Sequence, residues 1–205
     1  MFKNVKLVKE YKNYTETTKK GGRVYNIGGN NPYKSVTTYI KDRNPNKFDE
    51  IINQMGIENW NELSYAGTHD GSLFHSYCEQ LLENETIQYK KSIHPKLNDY
   101  FKTTMKGYLK EHINNIVLSE AVLFSHKYKL AGRVDLIAEF DGVLSVIDFK
   151  TSNKPKKKEW IGDYELQTEL YRRMFKEMYF INITQKVIIM LEKQEGTIQT
   201  FIENI

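Results

Sequence analysis

The spacing of apolar and polar residues predicts that helices dominate the first half of the chain. Helices are expected over residues 70–84, from Pro95 to about residue 115, over residues 47–55 and directly after Ser35. Apolar residues recur at helical intervals in the first of these segments. Proline is favoured at a first helical position, and serine is a favoured N-cap. The segment before residue 32 is polar, and one short strand is predicted in it at residues 22–27.

The second half of the chain has the patterning of strands. Three strand-like runs at residues 116–124, 128–140 and 143–151 are followed by an amphipathic helix at 159–180 and a hairpin of 185–192 with 197–203. This order predicts an α/β or α+β fold with a sheet flanked by helices. Because 205 residues can bury one substantial core, we expect a single domain over residues 1–205, mostly helical over 1–115 and sheet-forming over 116–205.

The most informative segment is the hairpin predicted between the second and third runs. Its Asp141-Gly142 pair is typical of a two-residue turn, and counting back from that turn places Asp135 directly opposite Asp148. Two carboxylates paired across strands repel unless a cation lies between them. Lys150 is two residues beyond Asp148 and points to the same face. Since carboxylate oxygens are the preferred ligands of Mg²⁺ and Mn²⁺, the hairpin predicts a divalent-metal site with a lysine beside it.

The same register leaves an alternative open. It places Arg133 opposite Lys150, so each aspartate could be neutralised in a cross-strand lattice of salt bridges. Against that interpretation, Asp148 lies in an apolar run, where an unpaired charge would be costly.

Charge is compatible with a polyanionic partner. The chain has 30 Lys and Arg against 26 Asp and Glu, a net charge of +4 and a pI of about 8.9. The densest positive cluster follows the predicted site and comprises Lys154, Lys156, Lys157 and Lys158. With Ser152, these residues are candidates for binding nucleic acid, although a run of charges is also typical of a solvated face.

Several chemistries are not expected. The single cysteine, Cys78, cannot form an intrachain disulfide or ligate an iron–sulfur cluster. The chain contains no GxxxxGK[ST] phosphate loop, so no nucleotide cofactor is predicted. The N-terminus lacks the apolar core of a signal peptide, and no run of about 18 apolar residues is present. We therefore expect a soluble intracellular protein that makes no contact with a membrane.

Two helices carry further polar candidates. Gly71, His75 and Glu79 are spaced by four and share a face, so His75 could supply a metal ligand. Gln167 and Tyr171 are also four apart and could contact a phosphate or a base. Either pattern alone is common on ordinary helix faces.

Taken together, these motifs resemble the PD-(D/E)xK nuclease superfamily and, within it, the RecB-like exonucleases. The matching segments, in the family's order, are residues 71–79 for GxxxHxxxE, Glu120, residues 132–135, residues 148–152 and residues 167–171 for QxxxY. Residues 32–38 also resemble the PSVTT segment of the mitochondrial genome maintenance exonuclease family and its phage and bacterial relatives. In this chain Tyr33 and Lys34 separate the proline from the serine.

The resemblance implies a restriction-endonuclease-like core with a central mixed β-sheet, and a role for each matched residue. His75, Asp135, Asp148 and the backbone carbonyl of Phe149 would bind Mg²⁺ or Mn²⁺, Lys150 would orient the attacking water, Gln167 and Tyr171 would position the strand, and Glu120 would support them. The metal would polarise the scissile phosphate and activate water, so no covalent intermediate is needed. The helix-rich first part would form an arch or lid over the site.

The activity that the resemblance implies is metal-dependent DNA exonuclease activity, with a preference for single-stranded ends. The alternatives are a structure-specific or restriction-like endonuclease and a non-catalytic nucleic-acid-binding module on a nuclease scaffold. The implied partner is DNA, in repair, replication or recombination, and a replication or recombination factor is a candidate protein partner.

Overall fold

The computed structural model describes residues 1–29 and 32–205, and within them eight strands form one mixed β-sheet. The strands are β1 (Tyr14–Lys19), β2 (Gly22–Ile27), β3 (Pro32–Ser35), β4 (Ile113–Ser125), β5 (Leu130–Phe140), β6 (Val143–Ser152), β7 (Gln185–Glu192) and β8 (Ile198–Asn204). Their order is β1-β2-β3-β5-β6-β7-β8, and β4 pairs with β5. β3 with β5 and β6 with β7 are parallel pairs, and the other pairs are antiparallel.

Helices cover both faces of this sheet. They are α1 (Val36–Arg43), α2 (Asp49–Met55), α3 (Ile57–Leu82), α4 (Leu97–Tyr100), a π-helical turn (Phe101–Met105), α5 (Lys106–His112), a 3₁₀ turn (Lys158–Trp160) and α6 (Gly162–Tyr179). The predicted class, a central mixed sheet flanked by helices, is therefore confirmed. Ser35 caps α1 as predicted, because its side chain accepts a hydrogen bond from the Thr38 N–H.

Two apolar clusters hold the helices to the sheet. On one face, α3 and the helical segment from α4 to α5 pack on β5 and β6, with Phe74, Phe101 and Phe149 fully or almost fully buried. On the other face, α1 and α6 pack on the same strands around buried residues such as Val134 and Met174. Strands buried on both faces read as continuous apolar runs, as those of β5 and β6 do.

Several elements differ from the expectation. β3 was not predicted, since its four residues are too few for a pattern, although Tyr33 and Ser35 in it are buried. β1 was not predicted, because five of its six side chains are exposed and its sequence, YTETTK, has no apolar alternation. α3 begins at Ile57, well before the predicted residue 70, and Asp70 is its first buried residue. The helical segment after Pro95 ends at His112, where β4 already begins. Apolar periodicity reports burial, so exposed parts of elements leave little signal.

The predicted hairpin register is confirmed only in part. β5 and β6 pair from Phe140–Val143 to Leu136–Ile147, as the Asp141-Gly142 turn predicted. Beyond Leu136 the ladder ends, so the predicted backbone pairs Asp135–Asp148 and Arg133–Lys150 are wrong. β6 continues instead along β7 as far as Ser152. The two strands separate where the candidate site begins.

The separation follows from how β5 uses its two edges. β4 pairs along nearly the whole of one edge. The other edge is shared, since β3 pairs with it at Leu130 and Ala131 and β6 pairs with it from Leu136 onward. Among the described residues, no strand pairs with this edge between Gly132 and Asp135, which leaves a gap in the sheet. Within the same residues, no helix has the length and apolar character needed to cross a membrane.

Candidate active site

Asp135 lies at the point where β5 and β6 separate. Its carboxylate is buried, and Oδ2 accepts a hydrogen bond of 2.8 Å from the backbone N–H of Phe149. Nδ1 of His75, on α3, lies 3.5 Å from the same oxygen. This aspartate therefore connects the two strands across the gap and meets the helix that covers them.

Asp148, on β6, is 1% exposed and is held by two other residues of the predicted site. Gln167 Nε2, on α6, donates a hydrogen bond of 2.8 Å to Asp148 Oδ1. Lys150 Nζ lies 2.5 Å from Asp148 Oδ2. This contact is an ion pair, so both carboxylate oxygens of Asp148 already have a partner in the protein.

Two carboxylates and an imidazole converge beside these residues. His75, Glu120 and Asp135 each offer a ligand atom, and the three atoms lie within 4.8 Å of one another. Glu120 has a left-handed backbone, with φ of 48°, and the ladder between β4 and β5 skips it. Such a conformation costs about 1 kcal/mol or more in a residue other than glycine. Arg133 Nη1 donates a 3.2 Å hydrogen bond to the Glu120 carbonyl and so stabilises the irregular backbone of β4 at this residue.

The charges of the site shift one another's pKa. Burial, followed by the charge of Asp135, raises the pKa of Glu120 to about 7. Burial would also raise the pKa of Asp135, but His75, Lys150 and the Phe149 N–H together outweigh it and lower that pKa below its ordinary value. For Asp148 burial dominates, and its pKa rises to about 6 despite the cation of Lys150. Buried carboxylates that oppose each other's ionisation would be relieved by a bound cation.

The donor set fits a divalent metal ion, because imidazole nitrogen and carboxylate oxygen are ligands of Mn²⁺, and carboxylates are ligands of Mg²⁺. Glu120, which the sequence placed in a supporting role, belongs to the three-residue group. Asp148 does not belong to it, since Lys150 and Gln167 engage its carboxylate. The metal-binding roles of Asp148 and of the Phe149 carbonyl stay predictions.

Tyr171 explains why a glycine stands at residue 132. A Cβ atom at Gly132 would lie 2.8 Å from Tyr171 Oη and 3.0 Å from its Cε1, closer than van der Waals contact allows. The phenol is buried, and burial holds its pKa well above the ordinary value. Gly132, in the motif of residues 132–135, thus allows α6, which carries the motif of residues 167–171, to approach β5.

A cleft of about 530 Å³, here called the first cleft, lies over the gap in the sheet. The side chains described above line it, except Asp148, which is buried beneath it. Arg23 and Tyr25 of β2 and Thr37 of α1 line it too. The sequence assigned no role to them, because a strand that reaches a site only through the order of the sheet carries no local signal. Glu16 of β1 connects this hairpin to β5, since its carboxylate pairs with Arg23 at 3.1 Å and with Arg133 at 3.5 Å.

A second cleft, of about 610 Å³, adjoins the first and shares Gly67 and Thr68 of α3 with it. We call it the aromatic–lysine cleft, because its lining includes Phe48, Trp60, Tyr164, Lys154, Lys156 and Lys193.

The residues predicted to bind nucleic acid lie at this second cleft or beside it. Lys154 and Lys156 line it, as does Ser152, which is buried and whose hydroxyl donates a 2.5 Å hydrogen bond to the Lys154 carbonyl. Lys157 and Lys158 are exposed, and Lys158 forms an ion pair with Glu165 of α6.

A family model described as the PD-(D/E)XK nuclease superfamily matches residues 68–197. The match covers more than half of the chain and includes every residue of the predicted catalytic set. The chain therefore belongs to the PD-(D/E)XK nuclease superfamily. No curated protein matches the chain significantly. Membership of this superfamily, together with the group of His75, Glu120 and Asp135, supports metal-dependent cleavage of nucleic acid with DNA as the substrate.

Proposed function

We propose that this protein is a metal-dependent DNA exonuclease that acts as one domain and degrades single strands from a free end. The observation that carries the proposal is the continuity of two clefts along α3. The first cleft contains the candidate metal group, and the aromatic–lysine cleft extends from it past Gly67 and Thr68. A lining that combines aromatic side chains with lysines favours a single strand, whose bases are free to stack.

In this proposal His75, Glu120 and Asp135 hold Mg²⁺ or Mn²⁺, and Asp148 completes the centre as a further ligand. When bound, the metal would polarise the scissile phosphate and lower the pKa of a bound water. The site's own cation is Lys150, since burial would lower its pKa but Asp148 and Asp135 together outweigh burial and raise that pKa above its ordinary value. A protonated lysine beside the phosphate would stabilise the negative charge that develops there.

Gln167 and Tyr171 act on the position of these groups. The amide of Gln167 holds Asp148 Oδ1, which leaves Oδ2 directed toward Lys150. Tyr171 fills the space over Gly132 and keeps α6 against β5. Both contacts fix the angle at which Lys150 faces the cleft.

The first test compares site variants with a matched lysine variant. Lys150→Met and Asp148→Asn are each expected to lower Mg²⁺- or Mn²⁺-dependent cleavage by about 100-fold or more, because positioned charged groups contribute that much to catalysis. Lys110→Met, which removes an exposed lysine of α5, serves as the control and should cleave as the wild type does. Circular dichroism establishes that each variant is folded. Full activity in a folded Lys150→Met protein would overturn the assignment.

The second test separates the kinds of nuclease. Linear single strands labelled at the 5′ or the 3′ end, linear duplexes and a closed circular single strand are incubated with Mg²⁺, with Mn²⁺ and with EDTA. An exonuclease is expected to degrade the linear single strand in either metal, to leave the circle intact and to be inactive in EDTA. Cleavage of the circle would favour an endonuclease. Binding without cleavage of any substrate would favour a non-catalytic module.

A further inference from the structure

A helical arm borders the aromatic–lysine cleft and adds little to the core of the protein. The arm comprises residues 47–69, which include α2 and the start of α3, and none of its residues is buried. Lys47, at its base, forms an ion pair with Asp163 at the start of α6. An exposed arm that lines a cleft is suited to binding something in that cleft.

An aromatic pair on this arm faces the cleft. The rings of Phe48 and Trp60 have centroids 4.8 Å apart and are inclined by 36°, so they support each other. Phe48 is 44% exposed, and neither residue belongs to an apolar cluster of the core. The pair packs the start of α2 against α3 within the arm and takes no part in the core of the protein. Exposed aromatic faces beside lysines are the usual platforms on which the bases of single strands stack.

Positive charge lies on the segment after β6, which also lines the cleft, and the backbone of this segment is fixed. Gln199 of β8 holds Lys156 through two hydrogen bonds, of 2.7 Å from the Lys156 N–H and 3.1 Å to its carbonyl. Ser152 holds the Lys154 carbonyl. Within the described residues, neither Lys154 nor Lys156 forms an ion pair with a carboxylate. The cleft thus presents unneutralised lysines together with the aromatic pair, which complements a polyanion with bases.

Gly67 stands where the two clefts meet. Glycine is the least favourable residue in a helix interior after proline, so its presence there calls for a reason. Internal packing gives none, because a Cβ atom at Gly67 would meet nothing within 4 Å. A ligand that passes close to the helix backbone at this point would supply the reason.

We propose that the aromatic–lysine cleft binds the single strand next to the nucleotide being cleaved. One base stacks on Trp60, which Phe48 supports, and the flanking phosphates face Lys154 and Lys156. The strand then passes over Gly67 into the first cleft. This inference rests on the proposed function, because only a nuclease site in the first cleft gives the bound nucleic-acid strand a reason to continue there.

Binding is measured without cleavage, in EDTA, through the fluorescence of Trp60. The chain has two tryptophans, Trp60 and Trp160, so a Trp160→Phe background isolates the signal. A single-stranded oligothymidylate is expected to quench this fluorescence, and an abasic strand of equal length to quench it weakly. Polyglutamate that quenches as strongly as the oligonucleotide would overturn the proposal, since it would show a site for acidic chains in general.

Two variants of the arm test whether binding depends on stacking at Trp60 or only on an exposed aromatic side chain. Trp60→Ala is expected to weaken binding of a labelled oligonucleotide, followed by anisotropy in EDTA, by about 5- to 100-fold, the range for loss of one stacked base. Tyr65→Ala is the matched control, because Tyr65 is an exposed aromatic of the same helix that does not line the cleft. Equal affinity of Trp60→Ala and Tyr65→Ala would overturn the proposal.

A second pair of variants tests the passage at Gly67. Gly67→Ala and Gly107→Ala both replace helical glycines whose Cβ would meet nothing, so both should raise the melting temperature. Gly67→Ala alone should weaken oligonucleotide binding, and Gly107→Ala on α5 should not. Wild-type affinity in a stabilised Gly67→Ala protein would contradict the proposed path.

The outcomes for the two proposals are distinguishable. If these arm variants bind normally while cleavage still requires metal, the strand path is wrong and the nuclease assignment stands. If the variants lose binding as expected but the wild type cleaves nothing in Mg²⁺ or Mn²⁺, the cleft binds single strands and the nuclease assignment fails.

Discussion

Gly132 lies where the phenol ring of Tyr171 packs on β5, and it offers a sharp test of how the two motifs fit together. A methyl group at residue 132 would meet Tyr171 Oη at 2.8 Å, so the buried ring or the strand would have to shift. We expect Gly132→Ala to lower the free energy of unfolding by about 1–3 kcal/mol, the cost of overpacking a core. Urea denaturation measures this change.

The control for this prediction is Gly107→Ala, which should be neutral or stabilising because its Cβ meets nothing. Adding Tyr171→Phe to Gly132→Ala removes the nearest atom and should restore part of the loss. The same urea midpoint for Gly132→Ala and the wild type would show that the contact is not rigid.

Individual residues also show what the sequence could and could not predict about the site. The motif residues Asp135, Asp148 and Lys150 were identified correctly as neighbours, because local spacing places them on adjoining strands. Counting along a hairpin assumes an unbroken ladder, however, and Asp135 instead bonds to the Phe149 N–H. Glu120 reaches the group because its backbone is left-handed, a conformation that no residue pattern predicts.

At the scale of elements, one buried ion pair joins α3 to the segment after β7. Asp70 is 1% exposed, and its carboxylate lies 3.2 Å from Lys193 Nζ. It also accepts hydrogen bonds from the N–H groups of Ile93 and His94, at 2.9 and 3.0 Å. A single carboxylate therefore fixes three segments at the point where α3 leaves its exposed arm and enters the core.

We expect Asp70→Asn to lower the free energy of unfolding by about 3 kcal/mol, because it leaves Lys193 buried without a countercharge. The double variant Asp70→Asn with Lys193→Met should be more stable than the sum of the two single changes implies. A urea double-mutant cycle measures this coupling. The exposed pair Asp99–Lys102 is the control, with a coupling below about 1 kcal/mol. Strict additivity at Asp70 and Lys193 would contradict the prediction.

The elements that the sequence predicted well are the ones that bury an apolar face. β6 and β7 were placed within one residue of their observed bounds, and α6 within three. The arm of α3 and the strand β1 were missed, and both are exposed. Their positions depend on contacts made far along the chain, such as Glu16 with Arg133, which periodicity cannot report.

At the scale of the whole molecule, the gap in the sheet creates the candidate site at a cost in stability. β3 and β6 share one edge of β5, and the space between them brings His75, Glu120 and Asp135 together. Without a cation, that arrangement places two carboxylates in a partly buried cluster and keeps Glu120 in a strained backbone conformation. Functional sites often retain strain and like charges that a fold selected for stability alone would lose.

Because the clustered carboxylates repel each other, we expect Glu120→Gln to be more stable than the wild type in EDTA. We also expect the variant to gain less stability from added metal. The folded-state pKa of Glu120 is about 7, against an ordinary value of 4.5. Between those values the folded state holds a proton that the unfolded state has released, so wild-type stability falls as pH rises through this window. Glutamine does not titrate, and the advantage of the variant should therefore grow from pH 4.5 and become complete above about pH 7.

Added metal should reduce or reverse the stability difference between Glu120→Gln and the wild type. Mn²⁺ that binds the folded state alone stabilises it in proportion to the logarithm of its concentration over the dissociation constant. The wild type should gain more than Glu120→Gln, because the variant lacks one of three ligands. Thermal unfolding from pH 4.5 to 8, with EDTA and with Mn²⁺, measures both effects, and Glu111→Gln, an exposed acid of α5, controls for lost charge. A Glu120→Gln protein that melts below the wild type in EDTA at pH 8, or that gains equally from Mn²⁺, would remove Glu120 from the metal group.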